Sequence, residues 1–158
     1  HWRFRLDPAL PHEWADLIRG PSRIDIASLS DPVIRRADGS WLYMLPSVID
    51  DVDMGVTHVV RGEDHVTNTG IQLQMFAAMA ALGIGPSDQL RFRGPREMGA
   101  QAPQFGHAAL LTGADGALSK RLGSIGVAEF RERGIEPIAV KALLARLGTS
   151  QPVEPVTS

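Results

Sequence analysis

The feature that most constrains the fold is a β-branched segment at residues 56–60 (VTHVV), with a helical pattern directly downstream. Its length and composition favour a buried parallel strand. Thr67 and Asn68 are good N-terminal caps for a helix that we expect to run to about Leu82, with Gly83 as its stop. A strand that leads into such a helix predicts an α/β fold. The apolar residues of the helix share one face: Ile71, Met75, Phe76, Met79 and Leu82.

The flanking segments divide into a β-rich start and a helical end. Residues 1–39 alternate short apolar runs with turn signals, and residues 38–39 (DG) are typical of a two-residue β-hairpin turn. Pro46 suits a first helical position, and we predict a short helix over residues 47–54 with Gly55 at its end. Further along, the pattern predicts a loop at 90–105, a strand at 107–112, a turn at 113–116 and helices at 126–133 and 137–147.

The composition excludes several classes of protein. The 158 residues suffice for one ordinary domain with a core, and no apolar run approaches the roughly 20 residues of a transmembrane helix. We therefore expect no membrane contact and a cytoplasmic location. The chain has no cysteine, and its five histidines lack close ligand spacing, so we expect no zinc site. A net charge of −2 argues against a chain coated for nucleic acid.

Two polar segments stand out against this background. Residues 61–65 (RGEDH) follow the predicted strand, where ligands bind in open α/β sheets. Residues 118–121 (LSKR) follow a Gly-Ala-Asp-Gly turn, and alone they would be unremarkable surface charge. Taken as a pair, the two segments suggest an ATP site.

The sequence around both segments closely resembles a known enzyme family. Residues 43–69 (YMLPSVIDDVDMGVTHVVRGEDHVTNT) and 113–123 (GADGALSKRLG) resemble the second half of the catalytic domain of glutamyl-tRNA synthetase, a class I aminoacyl-tRNA synthetase. The resemblance implies the second half of a Rossmann-like nucleotide-binding fold, with a small β-rich N-terminal module and C-terminal helices. It also implies three parts: the end of the acceptor-stem-binding insertion at 1–39, the second half of the catalytic domain at 40–124, and the start of the helical stem-contact region with a linker at 125–158.

The resemblance assigns an ATP site to the second segment. Lys120 matches the second Lys of the family's Lys-Met-Ser-Lys-Ser signature, whereas Ala117 stands in place of the first. An ammonium on a mobile loop suits the negative charge that develops on ATP phosphates, so we expect Lys120 to be catalytic. Mg²⁺ would accompany the ATP. The residues implied at this site are Asp64, His65, Leu111, Leu118, Ser119, Lys120 and Arg121.

A glutamate site is implied at three further positions. Arg61 matches the Arg that recognises the side-chain carboxylate of glutamate, and its planar guanidinium can hold a carboxylate with two parallel hydrogen bonds. Tyr43 matches a Tyr of the same pocket, and Ser47 stands where many members have Asn. Asp50 and Asp51 are adjacent on a helix and point apart, so we expect hydrogen bonding or surface roles rather than Mg²⁺ ligation. His58 and His107 are interpreted as structural residues.

The sequence lacks the His-Ile-Gly-His signature of the class and starts at His1, so we expect a piece of a longer enzyme. Alone it should be inactive, because the N-terminal catalytic half and the anticodon-binding domain are missing. The parent would be a glutamate–tRNA ligase that uses glutamate, ATP and the acceptor end of tRNA. The alternatives are the shorter paralogue that glutamylates queuosine in a tRNA and a non-catalytic RNA- or protein-binding module.

Overall fold

The computed structural model describes residues 1–84, 102–113, 116–117, 126–147 and 149–152. The chain separates into two compact units, residues 1–110 and 111–158. The first unit contains β1 (Trp2–Arg3), β2 (Glu13–Asp16), β3 (Gly20–Arg23), β4 (Val33–Arg35), α1 (Met44–Asp53), β5 (His58–Gly62), α2 (Val66–Ala81) and β6 (Gln104–Ala108). The second contains β7 (Thr112–Gly113), β8 (Gly116–Ala117), α3 (Val127–Glu132) and α4 (Pro137–Arg146).

The start of the chain is β-rich, as predicted. Strands β2 and β3 form an antiparallel hairpin, and β1 pairs antiparallel with β4. The turn predicted at residues 38–39 is present but has three residues, because Arg36 and Ser40 bond across the loop and Gly39 closes it with a φ of 87°. A type I turn followed by a left-handed glycine is the usual three-residue hairpin.

Helix α1 begins earlier than the sequence pattern predicts. It starts at Met44, so Pro46 lies in the first turn, where its missing N–H costs no hydrogen bond. Gly55 ends the helix with a φ of 64°, and the amide of Val56 bonds the carbonyl of Asp51. This is the Schellman arrangement expected of a C-terminal glycine.

The predicted parallel strand exists, but it is displaced by two residues and is less buried than predicted. Strand β5 pairs parallel with β6, in register from His58 with Gln104 to Gly62 with Ala108. Val60 is 65% exposed, which corrects the expectation of a strand buried on both faces. The predicted strand at 107–112 lies instead at β6, because pairing stops where β5 turns into the short 3₁₀ helix Glu63–His65.

Helix α2 supplies half of the buried hydrophobic residues described in the first unit. Ile71, Met75, Phe76 and Met79 are buried as predicted, whereas Leu82 is 75% exposed because the helix has already ended. Gly83 follows with a φ of 69°, in agreement with its predicted role as the stop. Thr67 and Asn68 are not caps: the helix begins at Val66, and both residues lie in its first turn.

The second unit contains the two predicted C-terminal helices and a short hairpin. Strands β7 and β8 pair antiparallel on either side of residues 114–115. Helix α3 is followed by Gly134, whose φ of 71° suits its predicted role as a stop, and α4 begins at Pro137. No helix among the described residues is long and apolar enough to cross a bilayer.

Candidate functional site

Arg61 lies in the second half of β5, beside His107 of β6. Successive side chains of a strand point to opposite faces, so the exposed Val60 and the half-buried Arg61 face different surroundings. The guanidinium carbon of Arg61 is 5.4 Å from the centroid of the Phe105 ring, a cation–π distance. Phe105 belongs to the hydrophobic core, so Arg61 rests on a fixed surface.

The guanidinium is held by three hydrogen bonds. Nη2 donates to Oγ1 of Thr69 at 2.5 Å and to Oε1 of Gln72 at 2.7 Å. Nε donates to Nε2 of His107 over a longer 3.4 Å. Among the described residues, no hydrogen bond joins Nη1 to another group.

Ser47 is joined to Arg61 through Gln72. The hydroxyl of Ser47 accepts a hydrogen bond from Nε2 of Gln72 at 2.8 Å and donates to the carbonyl of Met44 at 3.1 Å. Gln72 therefore contacts Ser47 with its amide nitrogen and Arg61 with its amide oxygen.

Tyr43 lies one helical turn before Ser47 and contacts the first turn of α2. Its hydroxyl accepts from Nδ2 of Asn68 at 2.6 Å and lies 3.5 Å from Nδ1 of His65. The rings of Tyr43 and His65 meet edge to face, with centroids 6.4 Å apart. About half of the Tyr43 side chain stays exposed, so its ring can contact a ligand. The structure thus brings together the three residues predicted to bind glutamate.

Acidic side chains lie near Arg61 in the first unit and affect its pKa. Burial lowers the pKa of the Arg61 guanidinium from its usual value, while Tyr43, Asp51 and Asp64 oppose that shift. Arginine nevertheless keeps its charge. Burial raises the pKa of the Asp51 carboxyl, whereas Arg61 lowers it and Asp50 raises it further. The site is therefore a cation with nearby acidic groups.

Below Arg61 lies a fully buried pair, Asp16 and His107. The Asp16 carboxylate accepts from Nδ1 of His107, from the indole N–H of Trp14 at 3.0 Å, and from the backbone amides of Ile18, Arg19 and His107, each at 3.0 Å. Burial alone would raise the pKa of Asp16, but these hydrogen bonds outweigh it and lower the pKa well below its usual range. Asp16 is thus a stable buried carboxylate.

The residues predicted to bind ATP are only partly described. Asp64 and His65 lie in the 3₁₀ turn after β5, with Oδ2 of Asp64 at 3.8 Å from Nε2 of His65. Leu111 is exposed and belongs to the second unit. Leu118, Ser119, Lys120 and Arg121 lie outside the described residues. Within those residues, no group of three or more His, Cys, Asp or Glu side chains is arranged to hold a metal ion.

Sequence analysis did not assign five polar side chains to this site: Asn68, Thr69, Gln72, Asp16 and His107. It interpreted His107 as structural but did not predict its hydrogen bonds to Asp16 and Arg61. Three of the five share α2, where Gln72 lies three residues after Thr69 and four after Asn68, the spacings at which helical side chains are neighbours. Polar residues inside an otherwise apolar helix are a usable signal, because burying them without partners is costly. Asp16 carries no such signal, because its partner is 91 residues away.

The fold and the site define the class of the protein. The model of the catalytic domain of class I tRNA synthetases (E and Q) matches residues 1–85, which is more than half of the 158-residue chain. The chain therefore belongs to the class I tRNA synthetases of the E and Q group.

Its relatives are named glutamate–tRNA ligases. The chain is 62% identical over 157 residues to glutamate–tRNA ligase 2 of Sphingopyxis alaskensis and 64% identical over 156 residues to glutamate–tRNA ligase 1 of Rhizorhabdus wittichii. Each match covers 99% of this chain and 31% of the relative. The chain thus spans about a third of the length of the curated relatives it matches.

Solved structures carry the same likeness. A glutamate tRNA ligase from Elizabethkingia meningosepticum, solved in complex with its amino acid, superposes with a TM-score of 0.67 at 27% identity. The match covers 92% of this chain and 29% of that structure. The α/β synthetase fold expected from the sequence is confirmed.

Proposed function

We propose that this chain is part of a glutamate–tRNA ligase and supplies the glutamate pocket together with part of the ATP site. The reaction has two steps: the glutamate α-carboxylate attacks the α-phosphate of ATP and expels pyrophosphate, and the adenylate then transfers its acyl group to the acceptor end of tRNA. The end of the acceptor-stem insertion would correspond to residues 1–39. The second half of the Rossmann-like domain would follow at 40–124, and the start of the stem-contact region at 125–158.

One observation carries this proposal: α1, β5 and α2 converge on a half-buried arginine whose Nη1 has no hydrogen-bond partner in the part of the chain that the structure describes. A cation in that setting selects an anionic group, because a neutral amide gains less from it and still has to be desolvated. The Tyr43 ring and the Ser47 hydroxyl border the same cluster. This favours glutamate over glutamine as the substrate.

Arg61 differs in one respect from the two-pronged carboxylate clamp expected from the sequence. With Nη2 and Nε bonded to the protein, Nη1 is the nitrogen turned to the substrate. Its side chain is thereby fixed before glutamate arrives, so little conformational entropy is lost on binding. A lysine has neither the planar shape nor the donors to keep these contacts and still reach a substrate.

The ATP side of the proposal concerns Asp64, His65 and the loop 118–121. Asp64 and His65 follow the end of β5, where ligands bind in α/β sheets, and would contact the ribose and adenine. Leu111 and Leu118 would border the adenine through their backbone, while Ser119, Lys120 and Arg121 would contact the phosphates. Mg²⁺ would arrive with ATP, whose phosphates are its usual partners.

The test is aminoacylation by the full-length enzyme that carries this chain, measured with glutamate and with glutamine. Arg61→Ala should lower kcat/KM for glutamate by about 100-fold or more, since one charge-assisted hydrogen bond contributes about 1.5–3 kcal/mol and its partner would stay unpaired. Arg61→Lys should recover only part of this loss. Arg23→Ala is the matched control, because Arg23 is a largely exposed arginine on β3.

Two results would contradict the proposal. An Arg61→Ala enzyme that keeps its preference for glutamate over glutamine would show that another group reads the carboxylate. A wild-type enzyme that transfers no glutamate to tRNA, or transfers it only to the queuosine base, would refute the assigned reaction.

A further inference from the structure

Asp16, His107 and Thr69 form a continuous buried row that ends on Arg61. Asp16 comes from the end of β2, His107 from β6 and Thr69 from α2, and all three side chains are buried. His107 bonds Asp16 through Nδ1, and its Nε2 lies 2.9 Å from the hydroxyl of Thr69 and 3.4 Å from Nε of Arg61. Three elements distant in sequence therefore meet behind one guanidinium.

The hydrogen bonds of this row have one direction. Oδ1 of Asp16 accepts from three backbone amides, and Oδ2 accepts from Trp14 and from His107, so the carboxylate acts only as an acceptor. The ring of His107 therefore carries a proton on Nδ1, and because Nε of Arg61 can only donate, Nε2 faces it as an acceptor. Nε2 thus faces Nε of Arg61 and the hydroxyl of Thr69, which also lies 3.4 Å from the carbonyl oxygen of His65.

We propose that Asp16 and His107, acting through Thr69, are positioning residues for the substrate-binding guanidinium of Arg61. The row fixes the imidazole tautomer that accepts from Arg61, and so holds Nε and Nη2 inward and Nη1 outward. The expected effect on glutamate affinity rests on the proposed function. The hydrogen-bond polarity of the row can be tested without any activity.

Asp16→Asn is the most informative change, because the structure dictates how the new amide must lie. Three backbone amides point at Oδ1 and require the amide oxygen there, so the NH₂ group takes the place of Oδ2, where it also opposes the indole N–H of Trp14. This NH₂ faces Nδ1 of His107, which must then accept, and the ring proton moves to Nε2. An N–H would then oppose the N–H of Arg61 Nε.

Thr69→Val removes only the hydroxyl that links His107 to Arg61 and keeps the shape of the side chain. It serves as the second variant if Asp16→Asn folds poorly. Gln74→Met is the matched control: Gln74 is as deeply buried on the same helix, but its side chain hydrogen-bonds the backbone of Asp7. Any loss of general stability appears in all three variants, whereas displacement of Arg61 appears only in the first two.

The kinetic experiment uses the full-length enzyme. Asp16→Asn and Thr69→Val should each raise KM for glutamate by roughly tenfold, the size of effect that supporting partners have on a liganding side chain, while KM for ATP changes less than about twofold. Gln74→Met should lower Tm without changing KM for glutamate. Unchanged KM for glutamate in either of the first two variants, or an equal rise in Gln74→Met, would overturn the proposal.

A spectroscopic measurement separates this inference from the proposed function. The ¹⁵N shift of His107 Nε2 in the wild-type protein should be that of an unprotonated ring nitrogen, and in Asp16→Asn it should move to that of a protonated one. If the shift does not move, the row does not set the tautomer, whatever the activity. If the shift moves and the Arg61 Nε–H signal moves with it while the wild-type enzyme fails to use glutamate, the positioning row stands and the proposed substrate falls.

Discussion

Gly70 of α2 is the position where one added methyl group tests how the central helix is packed. A Cβ built there would overlap Cδ1 and Cγ1 of Ile24 and lie 3.4 Å from its Cβ. Ile24 is only 9% exposed and belongs to the core, so it has little room to move. Rotation about the last bond of Ile24 would displace Cδ1 but leave Cγ1 in place, so Gly70→Ala requires the helix or the isoleucine to shift.

Two opposing effects set the size of the change. Overpacking a core costs about 1–3 kcal/mol, and an overlap with an atom near the backbone of Ile24 belongs at the upper end of that range. Replacing glycine by alanine inside a helix contributes about 1 kcal/mol in the other direction. We therefore expect Gly70→Ala to lower the free energy of unfolding by about 1–2 kcal/mol. Urea denaturation should show a lower midpoint at an unchanged slope.

A second background makes this reasoning refutable. Ile24→Ala removes both overlapping carbons and should itself cost about 2–5 kcal/mol. In that background Gly70→Ala should increase stability by about 0.5–1 kcal/mol, because the propensity gain remains and the new methyl group meets space rather than Ile24. If Gly70→Ala has the same sign in both backgrounds, the contact between Gly70 and Ile24 does not control the packing of the helix.

Three further outcomes are expected. The pKa of Asp16 is lowered in the folded state, so its contribution to stability is complete above the unfolded pKa of about 3.9 and is lost as pH falls below it. Thermal melts should therefore show a smaller acid-induced loss of stability in Asp16→Asn than in wild type. The raised pKa of Asp51 has the opposite effect on stability, but it is common to both proteins. Lys120→Ala in the full-length enzyme should slow adenylate formation by about 2–4 kcal/mol of barrier and change glutamate binding less, as single-turnover kinetics can measure. Leu82→Gln should alter stability by no more than about 0.5 kcal/mol in denaturant titrations, whereas Met75→Ala should cost about 2–5 kcal/mol, because Leu82 is exposed and Met75 is buried.

Local signals in the sequence predicted the positions of helices and strands better than they predicted which residues are buried. Glycines that end helices were identified correctly at positions 55, 83 and 134, because a left-handed residue after a helix strongly favours glycine. The β-branched run at 56–60 predicted a strand but not its register, since the pairing of β5 depends on β6. Val60 was expected to be buried because the β-branched segment 56–60 resembles a central strand. Whether a strand residue is exposed depends on what covers that face of the sheet, which the segment itself does not indicate.

The candidate site divides in the same way. Tyr43, Ser47 and Arg61 were predicted through a family resemblance carried by their own segment, and the structure places them around α2. Their supporting partners were not predicted: Thr69 and Gln72 lie only 8 and 11 residues from Arg61 but on another element, whereas His107 and Asp16 meet across separations of 46 and 91 residues. Asp16 shows this most clearly: no alternation, cap or spacing distinguishes it from any other aspartate near a turn.

The hydrogen bonds on the two sides of Arg61 explain why the site requires these particular partners. The Ser47 hydroxyl donates to the carbonyl of Met44, so it can only accept from Gln72, and the amide oxygen of Gln72 must then face Arg61. On the other side the Asp16 carboxylate forces the unprotonated nitrogen of His107 toward the same guanidinium. Both flanks present acceptors, so the N–H groups of Nε and Nη2 of Arg61 are paired within the protein. An asparagine at position 47 could accept from Gln72 with its amide oxygen and would preserve this polarity.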